Sequence, residues 1–285
     1  MANRHFGKFG DVWKHLPLAE VLRLEAPLRY VESNAGDPEY LLPHDAYRDA
    51  GAWRYLEVAS RSSVLDAAVY TRLLSAYTSQ DPPRYPGSPV IAREVLGPDV
   101  AFDFGDLDKE SLYALGLTFG GAARCHLMDG AAMTLSLLSS ADPRSTFLFL
   151  DPYHPLERLA GGPSAAEVFA EAGRRGFPAM LWYGYQYRAR TNPEPGHACR
   201  DELWAAYREA GAERVWWGEV EVEDIDVSAV AFHRGFGGCG IAAVNLTEAS
   251  IAACSGLGRA LAEAWGEATM AEGGTARLRF VEGSG

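Results

Sequence analysis

Phe147-Leu148-Phe149-Leu150-Asp151-Pro152-Tyr153-His154-Pro155 decides the fold. Four consecutive apolar residues bounded by turn formers predict a strand buried on both faces of a sheet. Proline then ends the ladder and turns the chain out of the sheet. In an open α/β sheet, ligands bind at the carboxyl ends of the strands. A carboxylate and an aromatic ring at that place could hold a planar, amino-bearing substrate. Read alone, the same residues also suit an ordinary βα loop whose Asp151 caps the next helix.

Working outward, further strands are predicted at 28–33, 100–104, 124–127 and 179–183, then at 214–222, 241–246 and 276–281. Helices are predicted at 165–175, 200–210 and 249–265, and a loop at 188–197, where Asn192-Pro193 and Pro195-Gly196 break the pattern. Strands alternate with helices first, and antiparallel pairing is expected near the end: an α/β fold, mostly parallel with an antiparallel edge. The first strand runs into Asn34-Ala35-Gly36-Asp37-Pro38, a small-residue loop where a Rossmann-like sheet approaches a nucleotide. The second ends among Asp103, Asp106 and Asp108, and the third in Asp129-Gly130. An acid after strand two suits a ribose hydroxyl pair. Solvated loops, caps and Asp-Gly turns account for the same residues.

The first fifteen residues concentrate positive and aromatic groups, with two of the chain's three lysines, Lys8 and Lys14. Asp11 is the expected N-cap of a helix running to about Glu25, which Pro17 would kink or restart. Lys14 and His15 fall in its first turns, where a solvated face is the plain expectation. Residues 45–77 carry a helical pattern too long for a simple connection, so a small helical insertion is expected there. After Arg84-Tyr85, the run Pro86-Gly87-Ser88-Pro89 reads as a tight turn near a helix start, with Ser88 as cap or ligand contact.

A net charge of −12 argues against a broad electrostatic grip on nucleic acid, although a local basic patch is compatible with it. The four cysteines form no CxxC pair, so reduced thiols in a cytoplasmic protein are expected, with no metal site. No apolar run approaches the roughly 18 residues of a membrane span, and the N-terminus lacks the layout of a signal peptide. The oligomeric state is not legible.

In order, these features resemble the bacterial 23S ribosomal RNA adenine-N6 methyltransferases of the J type, a class I S-adenosylmethionine-dependent family. The matching residues are Arg4-His5, Gly10-Asp11-Val12 with Lys14-His15, Ala35-Gly36, Arg84-Tyr85-Pro86-Gly87-Ser88-Pro89 with Ile91-Ala92-Arg93, Asp129-Gly130, Asp151-Pro152 and Trp182-Tyr183. The Tyr-Pro-Gly-Ser-Pro-x-Ile-Ala-Arg run is the most specific, and the likeness spans nearly the whole chain. The resemblance implies a single Rossmann-like methyltransferase domain over 1–285 with a helical insertion subdomain at 45–85. It implies S-adenosyl-L-methionine as cofactor, contacted by Lys14, His15, Asn34, Ser88, Asp106 (or Asp103), Asp129 and Gly130, and Asp151 as the catalytic acid.

Three departures are visible. The family's Asp-Pro-Pro-Tyr is Asp151-Pro152-Tyr153-His154 here, its aromatic residue before Arg-His is Asn3, and the acidic balance is unusual for a ribosomal RNA enzyme. Together they favour a changed substrate. The expected activity is methyl transfer to an amino nitrogen, with Asn3, Tyr153 and His154 as substrate-binding residues. The acceptor is a small molecule, nucleoside-like or a specialised metabolite. Adenine in ribosomal RNA is the alternative, and a non-catalytic cofactor-binding or interaction protein the second alternative.

Overall fold

The computed structural model describes residues 6–186, 197–209, 215–223, 236–271 and 277–284. Asn3 and the expected loop at 188–197, except its last residue, lie outside them.

In chain order, α1 (Phe9–Glu25) leads into β1 (Arg29–Ser33) and a short β2 (Glu39–Leu41). Four helices follow: α2 (Ala46–Arg48), α3 (Arg54–Ala59), α4 (Ser63–Asp66) and α5 (Val69–Thr78), with a π-helical turn at Asp49–Trp53. Next come β3 (Arg84–Pro86), α6 (Ser88–Leu96), β4 (Ala101–Asp106), α7 (Lys109–Phe119), β5 (Ala123–Leu127) and α8 (Gly130–Leu137). The second half runs β6 (Thr146–Leu150), α9 (Ala165–Arg174), β7 (Ala179–Gln186), α10 (His197–Glu209), β8 (Val215–Glu223), β9 (Phe236–Val244), α11 (Glu248–Ala271) and β10 (Arg277–Ser284).

Eight strands form one sheet in the order β10-β8-β9-β7-β6-β1-β4-β5. β5, β4, β1, β6 and β7 are parallel, while β9, β8 and β10 add antiparallel pairs. This is a Rossmann-like α/β sheet, mostly parallel with an antiparallel edge. From β1 the chain builds outward through β4 and β5, then crosses back to place β6 on the other side of β1. The crevice at the carboxyl ends of β1 and β6 is therefore the topological switch point, where such sheets bind ligands.

β6 shows why its sequence was decisive. All five of its residues are buried. Phe147 and Phe149 enter the core under α1, α6, α7 and α11, while Leu148 and Leu150 enter the core under α8, α9 and α10. A strand with helices on both faces must be apolar at every position, and burying each such side chain contributes about 1.5–3 kcal/mol.

Three local expectations are corrected. α1 starts at Phe9 with Lys8 as N-cap; Asp11 sits in the first turn and accepts the Lys8 amide at 3.1 Å. Pro17 lies inside a helix assigned as continuous. The strand expected at 241–246 instead starts at Phe236, so Gly237-Gly238-Cys239-Gly240 belongs to β9. Gly240 is required there: a Cβ would stand 2.3 Å from the Tyr183 ring, so the missing side chain lets β7 and β9 pair around that ring. Arg84–Pro86, which leads into the expected turn, pairs antiparallel with Glu39–Leu41, and the helices of residues 46–78 lie in the chain between these two short strands. Ser164 and Glu167 form a capping box that starts α9. Among the described residues, no helix is long and apolar enough to cross a membrane.

Candidate functional site

The register lines up the strand ends. Ser33 stands opposite both Leu150 and Gly105, and Asp106 opposite Leu127. Asn34, Asp106, Asp129 and Asp151 thus follow four adjacent strand ends along one rim.

Asp151 leaves β6 at the switch point. Its amide donates to Ser33 Oγ at 3.3 Å, which holds the end of β6 against β1. Lys14 Nζ donates to Asp151 Oδ2 at 2.6 Å and lies 3.1 Å from Asp11 Oδ1, with all three side chains largely buried. The expected solvated face of α1 is overturned: Lys14 is 8% and His15 3% exposed. α1 is packed against α6, α11, β7 and β9, so little of it faces water. Burial alone would pull the Lys14 ammonium down, but Asp151 and then Asp11 outweigh it and hold its pKa above the ordinary lysine value. Burial pushes the Asp151 carboxyl up, Lys14 pulls it back, and Asp11 and Asp106 push it up again. The pair is an ion pair with a second carboxylate behind it.

Glu32, which the sequence reading passed over, is fully buried one residue before the end of β1. Ser88 Oγ donates to its Oε1, and Tyr30 OH donates to its Oε2 at 2.9 Å. Burial pushes this carboxyl up to about 8, against the two hydrogen bonds. Ser88 therefore does not cap α6, whose N-cap is Gly87 with no side-chain bond. The usable signal was an acid at the end of the first apolar strand, directly before a small-residue loop.

His15 Nδ1 lies 2.8 Å from Tyr85 OH, which in turn lies 3.1 Å from Tyr70 OH. Burial first and Lys14 second hold the imidazole well below its ordinary pKa, so it is neutral at pH 7. His15 Nε2 and Trp182 Nε1 are buried polar atoms with no partner among the described residues. Lys14 Nζ sits 5.6 Å from the centre of the Trp182 ring.

The other expected residues sort by strand end. Asn34 adopts a left-handed φ of 59° in the loop after β1. Asp106 accepts the Gly36 amide at 2.9 Å and the Asp108 amide at 2.8 Å, tying the β1 loop to the end of β4. Asp103 is not a substitute for it: it sits mid-strand, bound to Arg29 at 2.8 Å and His126 at 2.9 Å. Asp129 caps α8 through the Ala132 amide at 2.9 Å. Gly130 packs flush against β1, where a Cβ would stand 2.7 Å from Ser33 Cβ and 2.8 Å from the Asn34 amide nitrogen. Tyr153 is 69% exposed and meets the exposed His154 edge-on at 4.5 Å. The side chains of Leu107 and Met128 stand out at the ends of β4 and β5, 61% and 39% exposed. A surface depression of about 360 Å³ lined by Asp66, Thr71 and Arg72, among others, shares no residue with this rim.

No family model matches the chain, and no curated protein matches it in sequence. Among solved structures, the chain is similar to the crystal structure of protein LPL1258 from Legionella pneumophila str. Philadelphia 1, family-model DUF519. That likeness has a TM-score of 0.71 at 19% identity and covers 99% of this chain and 98% of that one, a likeness of fold over the full length. An O-methyltransferase from Bacillus cereus in complex with SAH overlaps more loosely, with a TM-score of 0.38 at 10% identity over 81% of this chain and 80% of that one. Fibrillarin from Aeropyrum pernix, with natively bound S-adenosyl-L-methionine, gives 0.34 at 13% identity over 55% and 61%. Overlaps this loose carry no argument about function.

Proposed function

We propose that this chain is an S-adenosylmethionine-dependent methyltransferase acting on an amino nitrogen, with a small amine-bearing molecule as acceptor. The observation that carries this reading is Asp151: a buried carboxylate at the topological switch point, held by Lys14 through one oxygen, beside the exposed rings of Tyr153 and His154.

The residues present fit the cofactor. Gly130 clears the loop after β1, and His15 Nε2 is a buried polar atom without a partner among the described residues. Leu107 and Met128 offer apolar surface beside Asp129, which suits a purine ring. On this reading Asp106 would hold the ribose hydroxyls, and Asn34, Ser88, Lys14 and His15 would contribute to the rest of the cofactor site. When bound, the cofactor supplies an electrophilic methyl group on a cationic sulfur. The protein's task is then to align the acceptor's lone pair. Asp151 Oδ1 accepts an N–H of the acceptor amine, aims the lone pair and takes the proton that the nitrogen sheds. Tyr153, or His154, forms one wall of the acceptor pocket.

The net charge of −12 and the single proline before Tyr153 support a small acceptor. Adenine in ribosomal RNA, flipped out of its stack, is the second reading, supported by the J-type resemblance over nearly the whole chain. Incubation with methyl-labelled S-adenosylmethionine, against a small-molecule extract and against protein-free unmodified ribosomal RNA, tests both. Label in the small-molecule fraction is expected, with turnover insensitive to salt. Label found as N6-methyladenosine, lost steeply as salt rises, would overturn the small-molecule acceptor. Absence of cofactor binding would leave an interaction protein.

A further inference from the structure

We infer that Asp11 is a positioning residue that gives the Asp151 centre its negative charge, so that Asp151 can accept a proton beside a buried ammonium. The inference rests on the methyltransferase reading above.

Lys14 is shared. Its Nζ lies 2.6 Å from Asp151 and 3.1 Å from Asp11, and the Lys14 and Asp11 side chains are only 10% and 12% exposed. With Asp151 alone, Lys14 would form a neutral pair. Proton uptake by Asp151 would then strand the ammonium without a counter-ion in a buried site, a strongly unfavourable arrangement. With Asp11 present, two carboxylates share one ammonium. The trio is net −1 before the proton arrives and neutral afterwards, and Lys14 keeps a partner throughout. The proton itself moves simply: the N–H bond of the methylated nitrogen breaks, its electrons stay on nitrogen, and the proton joins Asp151 Oδ1. Asp11 touches no reacting atom and acts through Lys14.

Other charged and titratable groups also face the trio: the Lys8 ammonium couples to Asp11, and His15 of α1 and Tyr40 of β2, both uncharged at pH 7, couple to Lys14. Glu32 and Tyr30 of β1 and Asp106 of β4 influence Asp151 or are influenced by it. Trp182 of β7 and Cys239 of β9 border Lys14 and carry no charge at pH 7. Asp11 also holds the Lys8 amide at the start of α1. Its effect must therefore be separated from helix capping.

Asp11→Asn does this, since an amide oxygen still accepts from Lys8 while the charge is gone. The first readout needs no turnover: the carboxyl ¹³C resonance of Asp151 in aspartate-labelled protein, assigned by its loss in Asp151→Asn and followed over pH. In Asp11→Asn, Asp151 is expected to titrate roughly one unit lower. In turnover, kcat is expected to fall about tenfold or more, with the acid limb of the pH profile moving down and the KM for the cofactor little changed. Asp11→Glu, which keeps the charge, is expected to restore the acid limb, and Asp11→Ser serves if the Asn variant does not fold. An unchanged Asp151 titration would overturn the inference. So would a variant that loses only thermal stability while keeping kcat and its pH profile. If the wild-type chain methylates nothing, the methyltransferase reading fails by itself, and the ¹³C titration still decides whether Asp11 sets the charge of the trio.

Discussion

Two clusters of buried carboxylates lie on the same sheet, and their charges are balanced in opposite ways. Around Asp103, on β4, cations are in excess: Arg29 at 2.8 Å and Arg124 at 3.5 Å face one carboxylate, with the His126 ring at 2.9 Å. At the rim, carboxyls are in excess: Asp11, Asp151 and Glu32 surround one ammonium, Lys14. The Asp103 cluster is closed, with both oxygens occupied by side chains of the same sheet. The rim keeps a carboxyl well above its ordinary pKa and two buried nitrogens unpartnered, at the strand ends where the chain reverses direction across the sheet. Burying an acid does not by itself mark a site. What separates the two is the sign of the imbalance and the position on the strand.

The largest expected contrast comes from removing each central carboxylate. Asp151→Ala should lower turnover by roughly 10³ or more, with cofactor affinity changed only a few-fold, read by labelled methyl transfer and calorimetry. Asp103→Ala should do the reverse. It leaves Arg29 and His126 facing an empty position, so urea unfolding should report a loss of about 3 kcal/mol, while kcat per folded molecule stays the same. If Asp103→Ala abolished turnover in folded protein, the division between the two clusters would collapse.

A smaller effect tests the cradle. Gly130→Ala places a methyl 2.7 Å from Ser33 Cβ and forces the β1 loop to move. Cofactor affinity should weaken about tenfold, with a stability loss of about 1–3 kcal/mol. Unchanged affinity would detach this loop from the cofactor.

The last test concerns pH. Glu32 rises from the ordinary 4.5 to about 8 through burial. Above pH 4.5 the unfolded chain releases this proton while the folded chain retains it, so stability should fall as pH rises from about 4.5 to 8 and then level off. Glu32→Gln removes that slope. Unfolding curves at pH 5 and pH 8 should differ less in the variant than in the wild type, and an identical difference would mean that Glu32 is ionised in the folded protein.

The sequence by itself determined the α/β order, the strand at 147–150 and the placement of Asp151 at its end. A strand covered on both faces has no polar position, and a following proline cannot continue the ladder, so both facts are written locally. The i, i+3 pair of Asp11 and Lys14 was also present in the sequence, but there it reads as an ordinary solvated helix surface. Only tertiary structure decided otherwise. α1 is packed by β7, β9, α6 and α11, which strips water from Lys14 and brings it to Asp151, 137 residues away. Register, not composition, put Asp106 at the rim and left Asp103 among arginines. The pairing of Glu39–Leu41 with Arg84–Pro86 was invisible for a similar reason, since three-residue strands that far apart carry no periodic signal. Local patterns specify which residues must be covered. Which charges then share one buried space is set by contacts between segments far apart in the chain.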